Sequence, residues 1–200
     1  MAFTIDEKLL PATLTAQPMT DDEFAAFCAE HPDLFFEMTA EGEVIVMPPT
    51  YSVTDARNGE IMRQLGNWAL HNRRGTATGS SGGFVLPSGA RRSPDAAWTS
   101  KARLAQLDSQ SLRAFWHLSP DFVIELKFDS DRIATLRKKM EEWIANGAQL
   151  AWLINPEEKT VEIFRSNQQV QAVTGAGSVT GEGPVAGFVL ELARVWDPLG

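Results

Sequence analysis

Residues 122–128 read FVIELKF, an apolar run interrupted by Glu125 and Lys127. In an extended chain side chains alternate between faces. Phe122, Ile124, Leu126 and Phe128 then share one face, and Val123, Glu125 and Lys127 share the other. The first face is wholly apolar and must meet a core. The second sets a carboxylate and an ammonium about 7 Å apart at Cα. Burying such charges without partners costs several kcal/mol each. This face is therefore either solvated, with a cross-strand ion pair, or it lines a polar cleft.

Around this strand the pattern alternates between helix and strand signals. Thr20 and Glu23 form a capping-box pair that predicts a short helix over 21–30, with Phe24 and Phe27 inward. FFEM and EVIVMP read as a hairpin turning at Glu41-Gly42 and closed by Pro48-Pro49. Ile61, Leu65, Trp68 and Ala69 make one apolar stripe and predict a helix over 55–72. Residues 75–83 read as a loop or weak strand, and 84–98 as two strands around Pro87-Ser88-Gly89. A helix of little consequence is expected over 101–117. After FVIELKF, the stripe Ile133, Leu136, Met140, Trp143 and Ile144 predicts a second long helix ending at Gly147. AWLIN and VEIFR read as strands around Pro156-Glu157-Glu158. This order defines an α/β or α+β fold, one central mixed sheet with helices packed on it. Residues 1–18 read as a loose arm and 19–200 as a single domain.

Composition narrows the setting. The chain has 200 residues, 44% apolar and 22% charged, enough for a sizeable core. Cys28 is its one cysteine, so no internal disulfide or thiolate cluster forms and a reducing, cytoplasmic setting is expected. Neither a signal peptide nor a membrane-length apolar run is present. The net charge of −8 argues against a nucleic-acid binder. The charge is uneven, however: residues 1–50 carry −9, 51–149 carry +4 and 150–200 carry −3. FVIELKF lies in the only basic third. His31, His71 and His117 have no zinc spacing, and neither a GxSxG elbow nor a phosphate-binding P-loop occurs, so no organic cofactor is implied.

A second motif bears on the charged face. Ser93-Pro94-Asp95 lies upstream at the start of an expected strand. Pro-Asp followed at a distance by Glu-x-Lys on a buried strand is the pattern of the PD-(D/E)XK nuclease superfamily. The chemistry needs these types together. Phosphodiester hydrolysis requires an attacking water, neutralisation of developing charge and a stabilised leaving oxygen, all of which magnesium serves through oxygen ligands. Asp95 and Glu125 can bind it, and the Lys127 ammonium can orient water and offset phosphate charge.

The match is wider than three residues. FFEMxxxGEVIVMPPT, RNGEIxxQLxxW, SSGGFVLPSGARRSPDAAW, PDFVIELKFDSD, LRKKMEEWIANGAQLAWLINP and VEIF occur in this order. Across roughly 19–165 the chain strongly resembles the Uma-type restriction-endonuclease family of bacterial proteins within that superfamily. The resemblance implies the restriction-endonuclease-like fold, Mg2+-dependent (or Mn2+-dependent) cleavage of DNA, and a homodimer. It makes Asp95 and Glu125 the metal-binding acids and Lys127 the superfamily lysine. The usual Ser-Pro-Ser turn after the glutamate is replaced here by Lys127-Phe128-Asp129-Ser130. Glu60, in RNGEI, is either an assisting acid or a surface glutamate, and Glu37 either approaches the site or is an exposed strand residue. Lys138 and Lys139 are either solvated helix residues or, with Lys139 favoured by the family text, a phosphate contact or substitute catalytic lysine. Arg91 and Arg92, like Arg73 and Arg74, are read as exposed arginines that could contact phosphates. The alternative functions are a nucleic-acid-binding or regulatory protein that keeps the fold without the reaction, and an interaction module in which Glu125 and Lys127 are an ordinary ion pair.

Overall fold

The structure, a computed structural model, describes residues 10, 12–15, 19–47, 50–109 and 111–200. The expected arm falls mostly outside them. Of its described residues, Ala12–Thr15 form strand β1, antiparallel to Glu43–Met47. Helix α1 (Asp21–Glu30) opens with the reciprocal box that its sequence announces. The Thr20 hydroxyl accepts from the Glu23 amide, and the Glu23 carboxylate accepts from the Thr20 amide at 2.7 Å. Strands β2 (Phe35–Met38) and β3 (Glu43–Met47) make the expected hairpin, with Gly42 at φ +90°. Its closing Pro48-Pro49 lies outside the described residues.

Helix α2 (Ser52–Asn72) starts three residues before the predicted point and buries Ile61, Leu65 and Ala69. Strand β4 (Gly75–Gly79) follows. Strands β5 (Phe84–Val85) and β6 (Arg91–Arg92) pair around Pro87-Ser88-Gly89, and β7 (Ala96–Ser100) comes next. The helix expected over 101–117 is a correction. Only α3 (Lys101–Leu104) and a 3-10 turn at Ser111–Arg113 form there. The tertiary pairing that competes with it is visible. The Trp116 amide donates to the Gly83 carbonyl at 3.0 Å, and its own carbonyl accepts from Val85 at 2.9 Å. The segment is thereby drawn out as a partner of β5.

Strand β8 (Phe122–Leu126), helix α4 (Ile133–Ala145) and strand β9 (Leu150–Asn155) form a β–α–β unit. Its two strands run parallel because the helix carries the chain back, and Gly147 closes the helix at φ +103°. Strands β10 (Thr160–Arg165), β11 (Gln171–Thr174), β12 (Ser178–Thr180) and β13 (Val189–Glu191) follow, then helix α5 (Ala193–Trp196). No helix among the described residues is long and apolar enough to cross a membrane.

Among the described residues β12 and β13 pair as a small antiparallel sheet, and two larger sheets organise the rest. The six-stranded sheet is mixed, in the order β11-β10-β9-β8-β7-β4, with β8–β9 its parallel pair. The five-stranded sheet is antiparallel, in the order β1-β3-β2-β6-β5. The chain passes from the smaller sheet to the larger through Ser93-Pro94-Asp95. Strand β8 is covered on both faces. Phe122, Ile124 and Leu126 join a core with Ile61 and Leu65 of α2 and with Phe188 and Leu190 of the C-terminal segment. Val123 joins Met140 and Trp143 of α4 in a second core. The charged face of FVIELKF is therefore not solvated within the strand; α4 lies over it.

Candidate active site

Asp95 occupies the last residue before β7. The register that pairs Ala96 with Ile124, carried one step further, sets Asp95 opposite Glu125. The Leu126 amide donates to Asp95 Oδ2 at 2.7 Å, which fixes the carboxylate against β8. Asn58, from the first half of α2, donates to Asp95 Oδ1 at 3.0 Å. Asp95 and Glu125 line one pocket. The two acids, thirty residues apart in sequence, thus face a common space.

Glu125 is 3% exposed and fully partnered. The Trp143 indole donates to its Oε1 at 2.9 Å, and Lys139 lies 2.9 Å from Oε1 and 3.0 Å from Oε2. Both partners come from α4. Trp143 stands one turn after Lys139, so they share the helix face turned to the strand. Lys139 holds a second carboxylate, Glu37 of β2, at 2.8 Å. Glu37 also accepts from the Ser93 amide at 3.0 Å and from Arg92 at 3.2 Å, and Arg92 reaches Glu142 at 2.7 Å. Alternating charges therefore run from Glu125 through Lys139, Glu37 and Arg92 to Glu142, tying both sheets to α4.

The electrostatics follow from this enclosure. Burial pushes the Glu125 carboxyl up to about 8, with Lys139 opposing and the Asp95 and Glu37 charges adding to the rise. Burial raises Asp95 to about 6, against the Leu126 amide and Lys139. Lys139 would lose its proton more easily through burial, but Glu125 and Glu37 outweigh that and push it above the ordinary lysine value. Glu37 is lowered, because Lys139 and Arg92 outweigh its burial. Asp131, also on the pocket wall, is raised by burial.

The other sequence candidates fall elsewhere. Lys127 lies just beyond the end of β8, where strict alternation stops. Its ammonium pairs with Glu157 in the β9–β10 turn at 2.8 Å and with the Phe128 carbonyl at 3.2 Å, and it is not on the pocket wall. Glu60 is held by Arg63 at 2.6 Å and Gln64 at 2.8 Å, also off the pocket wall. Arg91 and Arg92, expected to be exposed, are buried. Arg91 pairs with Asp21, donates to the Met19 carbonyl at 3.1 Å and lies 5.5 Å over the Phe24 ring. Lys138 is exposed, as are Arg73 and Arg74. Two residues of the site escaped the sequence reading. Asn58 stands two places before Glu60 in the same motif, and Trp143 was read as core alone. The signal for Trp143 is its indole N–H, which a buried tryptophan must place on an acceptor.

The donor set fits a hard divalent cation. Asp95 and Glu125 offer oxygens from adjacent strands into one pocket, and magnesium takes one or two carboxylates and keeps several waters. Among the described residues no group of three or more His, Cys, Asp or Glu side chains is placed to hold a metal ion.

The class comes from architecture. The fold is restriction-endonuclease-like. The chain is similar to a crystal structure described as a "putative nuclease belonging to DUF820 from Anabaena variabilis ATCC 29413", with a TM-score of 0.72, 19% identity, and coverage of 90% of this chain and 98% of that one. The particular family follows from sequence: the chain belongs to the Uma2 family, described as "Putative restriction endonuclease", matching over residues 21–193. No curated protein matches it.

Proposed function

We infer that this protein is a Mg2+-dependent DNA endonuclease, with residues 19–200 acting as one domain and Mn2+ able to replace Mg2+. The observation that carries the reading is the meeting of Asp95 and Glu125 on one pocket with Lys139 at 2.9 Å from Glu125. The reading brings with it a homodimer, which sets two sites on one DNA, and a reducing cytoplasm in which Cys28 stays a thiol.

Asp95 and Glu125 would hold the ion. When bound, it polarises a phosphoryl oxygen and lowers the pKa of a bound water. The chain's own residues do the rest. The Leu126 amide and Asn58 keep the Asp95 carboxylate facing the pocket. Trp143 and Lys139 fix the plane of Glu125. Lys139, clasped by two carboxylates, stays cationic, so it offsets charge on the phosphate instead of taking a proton from water. In the reaction water adds to phosphorus, the bond to the leaving sugar oxygen breaks, and a proton given up by the water through solvent is matched by one taken up on that oxygen.

The test is nicking of a supercoiled plasmid in Mg2+ by wild type, Asp95→Ala and Lys139→Ala. Metal-dependent nicking lost in both variants is expected. Nicking that survives Asp95→Ala would assign the activity to something other than this site. The second reading, a DNA-binding protein without the reaction, draws on Lys127, whose pairing with Glu157 removes the superfamily lysine from the pocket. Metal-independent DNA binding with no nicking by wild type would favour it.

A further inference from the structure

Besides its acids, Lys139 and three hydroxyl residues, the pocket has an apolar, partly aromatic wall. Phe36, Leu126 and Leu136 line it, Phe128 is half-buried on its wall, and Phe35 stands at its edge 48% exposed. Tyr51, 82% exposed, follows Thr50 of the same wall. An exposed aromatic ring on the wall of a charged pocket offers a face on which a base can stack.

The charge distribution supplies the other half. A protein that grips duplex DNA does so mainly with free cations on phosphates. Here Lys139, the one cation among the described residues lining the pocket, is already spent, as are three of the other sequence-nominated cations, whereas Arg73 and Arg74 stay exposed. Arg91 pairs with Asp21, Arg92 with Glu37 and Glu142, Lys139 with Glu37 and Glu125, and Lys127 with Glu157. The chain as a whole carries −8. No unpaired cation among the described residues lines the pocket to grip a phosphate, while an aromatic face for stacking is at hand there, and only an unpaired base can use it.

The geometry points to an unpaired nucleotide as the substrate: a base beside the scissile phosphate stacks on Phe35 at the mouth of the Asp95–Glu125 pocket, so the protein acts on single-stranded rather than fully paired DNA and nicks a supercoiled plasmid where negative supercoiling unpairs it. This rests on the nuclease reading and names its substrate. Stacking of one base on one aromatic changes affinity by between about fivefold and a hundredfold. A base and its phosphate are joined covalently, so the ring that holds the base also places the phosphate, and Phe35 is a positioning residue.

The experiment uses the full chain and a 20-residue DNA oligonucleotide carrying 2-aminopurine, single-stranded or annealed to its complement. Metal-free fluorescence titration reads binding and stacking, and Mg2+-dependent cleavage is followed in parallel. The expected result is quenching of the single strand, at least tenfold tighter binding than the duplex, a fivefold or greater loss in Phe35→Leu, and recovery in Phe35→Trp. Leucine keeps the apolar bulk of an exposed position but removes the ring face. Duplex binding as tight as single-strand binding, affinity indifferent to Phe35→Leu, or no binding of either form overturns the inference. Duplex cleavage as fast as single-strand cleavage, and sensitive to Asp95→Ala, also overturns it while leaving the nuclease reading intact. Ring-dependent stacking with no cleavage that Asp95→Ala abolishes keeps the inference and removes the nuclease reading.

Discussion

The Lys139 ammonium lies 2.9 Å from Glu125 although fourteen residues separate them, whereas Lys127, two residues from Glu125, reaches Glu157 instead. An ordinary lysine tether is the same in both cases. The difference is where the backbone leaves it. Strand β8 ends at Leu126, and Lys127 departs toward the β9–β10 turn, while α4 crosses the strand and lowers Lys139 onto its charged face.

This separation predicts opposite outcomes for two lysine changes. Lys139→Ala should cut nicking by about a hundredfold or more, the scale of losing one preorganised charge-stabilising group. Lys127→Ala should stay within a few-fold of wild type, since an ion pair with an exposed partner contributes about 1 kcal/mol or less. Thermal melts of both variants separate lost chemistry from lost folding. Equal losses in folded protein would restore Lys127 to the site.

The acids predict an unusual pH profile. Glu125 is raised from 4.5 to about 8 and Asp95 from 3.8 to about 6. A carboxyl raised in the folded state favours folding while protonated. That stability is fully present below the ordinary carboxylate value and is lost as pH climbs through the raised one. The melting temperature of the metal-free protein should therefore fall between about pH 5 and 8. Glu125→Gln should flatten the fall, and Mg2+ should raise the melting point most at the alkaline end. A wild-type profile no steeper than that of the variant would contradict the assignment.

Asn58 and Glu60 stand two places apart on α2 with different predicted effects. Asn58→Ala removes the donor on Asp95 Oδ1 and should weaken Mn2+ binding by about tenfold or more, as loss of a group that orients a metal ligand commonly does. Glu60→Ala breaks a helical pair with Arg63 and should cost about 0.5 kcal/mol or less, with nicking unchanged. Isothermal titration with Mn2+ and the plasmid assay read both. A large loss of nicking in Glu60→Ala, with Mn2+ affinity intact in Asn58→Ala, would reverse these roles.

Arg92 is a structural cation. Arg92→Ala would leave Glu37 and Glu142 without it, and removing one member of a buried pair costs about 3–5 kcal/mol. Urea denaturation should show a drop of that order. A loss under about 1 kcal/mol, together with a reduced salt dependence of DNA binding, would make Arg92 a phosphate contact after all.

Much of the fold is legible in local pattern, because hydrogen bonding and burial repeat with fixed periods. The box at Thr20 and Glu23, the stripes of α2 and α4, the turn at Gly42 and the strands at FVIEL and LAWLIN each occur where period and punctuation place them. The resemblance to the PD-(D/E)XK pattern also paired Asp95 with Glu125, since Pro-Asp and a buried strand glutamate carry a recognisable chemistry. The helix expected over 101–117 failed for a non-local reason, the hydrogen bonds that draw Trp116 to Gly83 and Val85.

The partners of the charges were decided only in three dimensions. Arg92 is 50 residues from Glu142 and 55 from Glu37. Asn58 meets Asp95 across 37 residues, and Lys139 joins two sheets. A charge takes the nearest opposite charge that desolvation permits, and that distance is set by how helices cross strands, which no period along the chain records. The sequence by itself determined which acids this protein carries on buried strands. Tertiary packing decided that Lys139, not Lys127, stands between them.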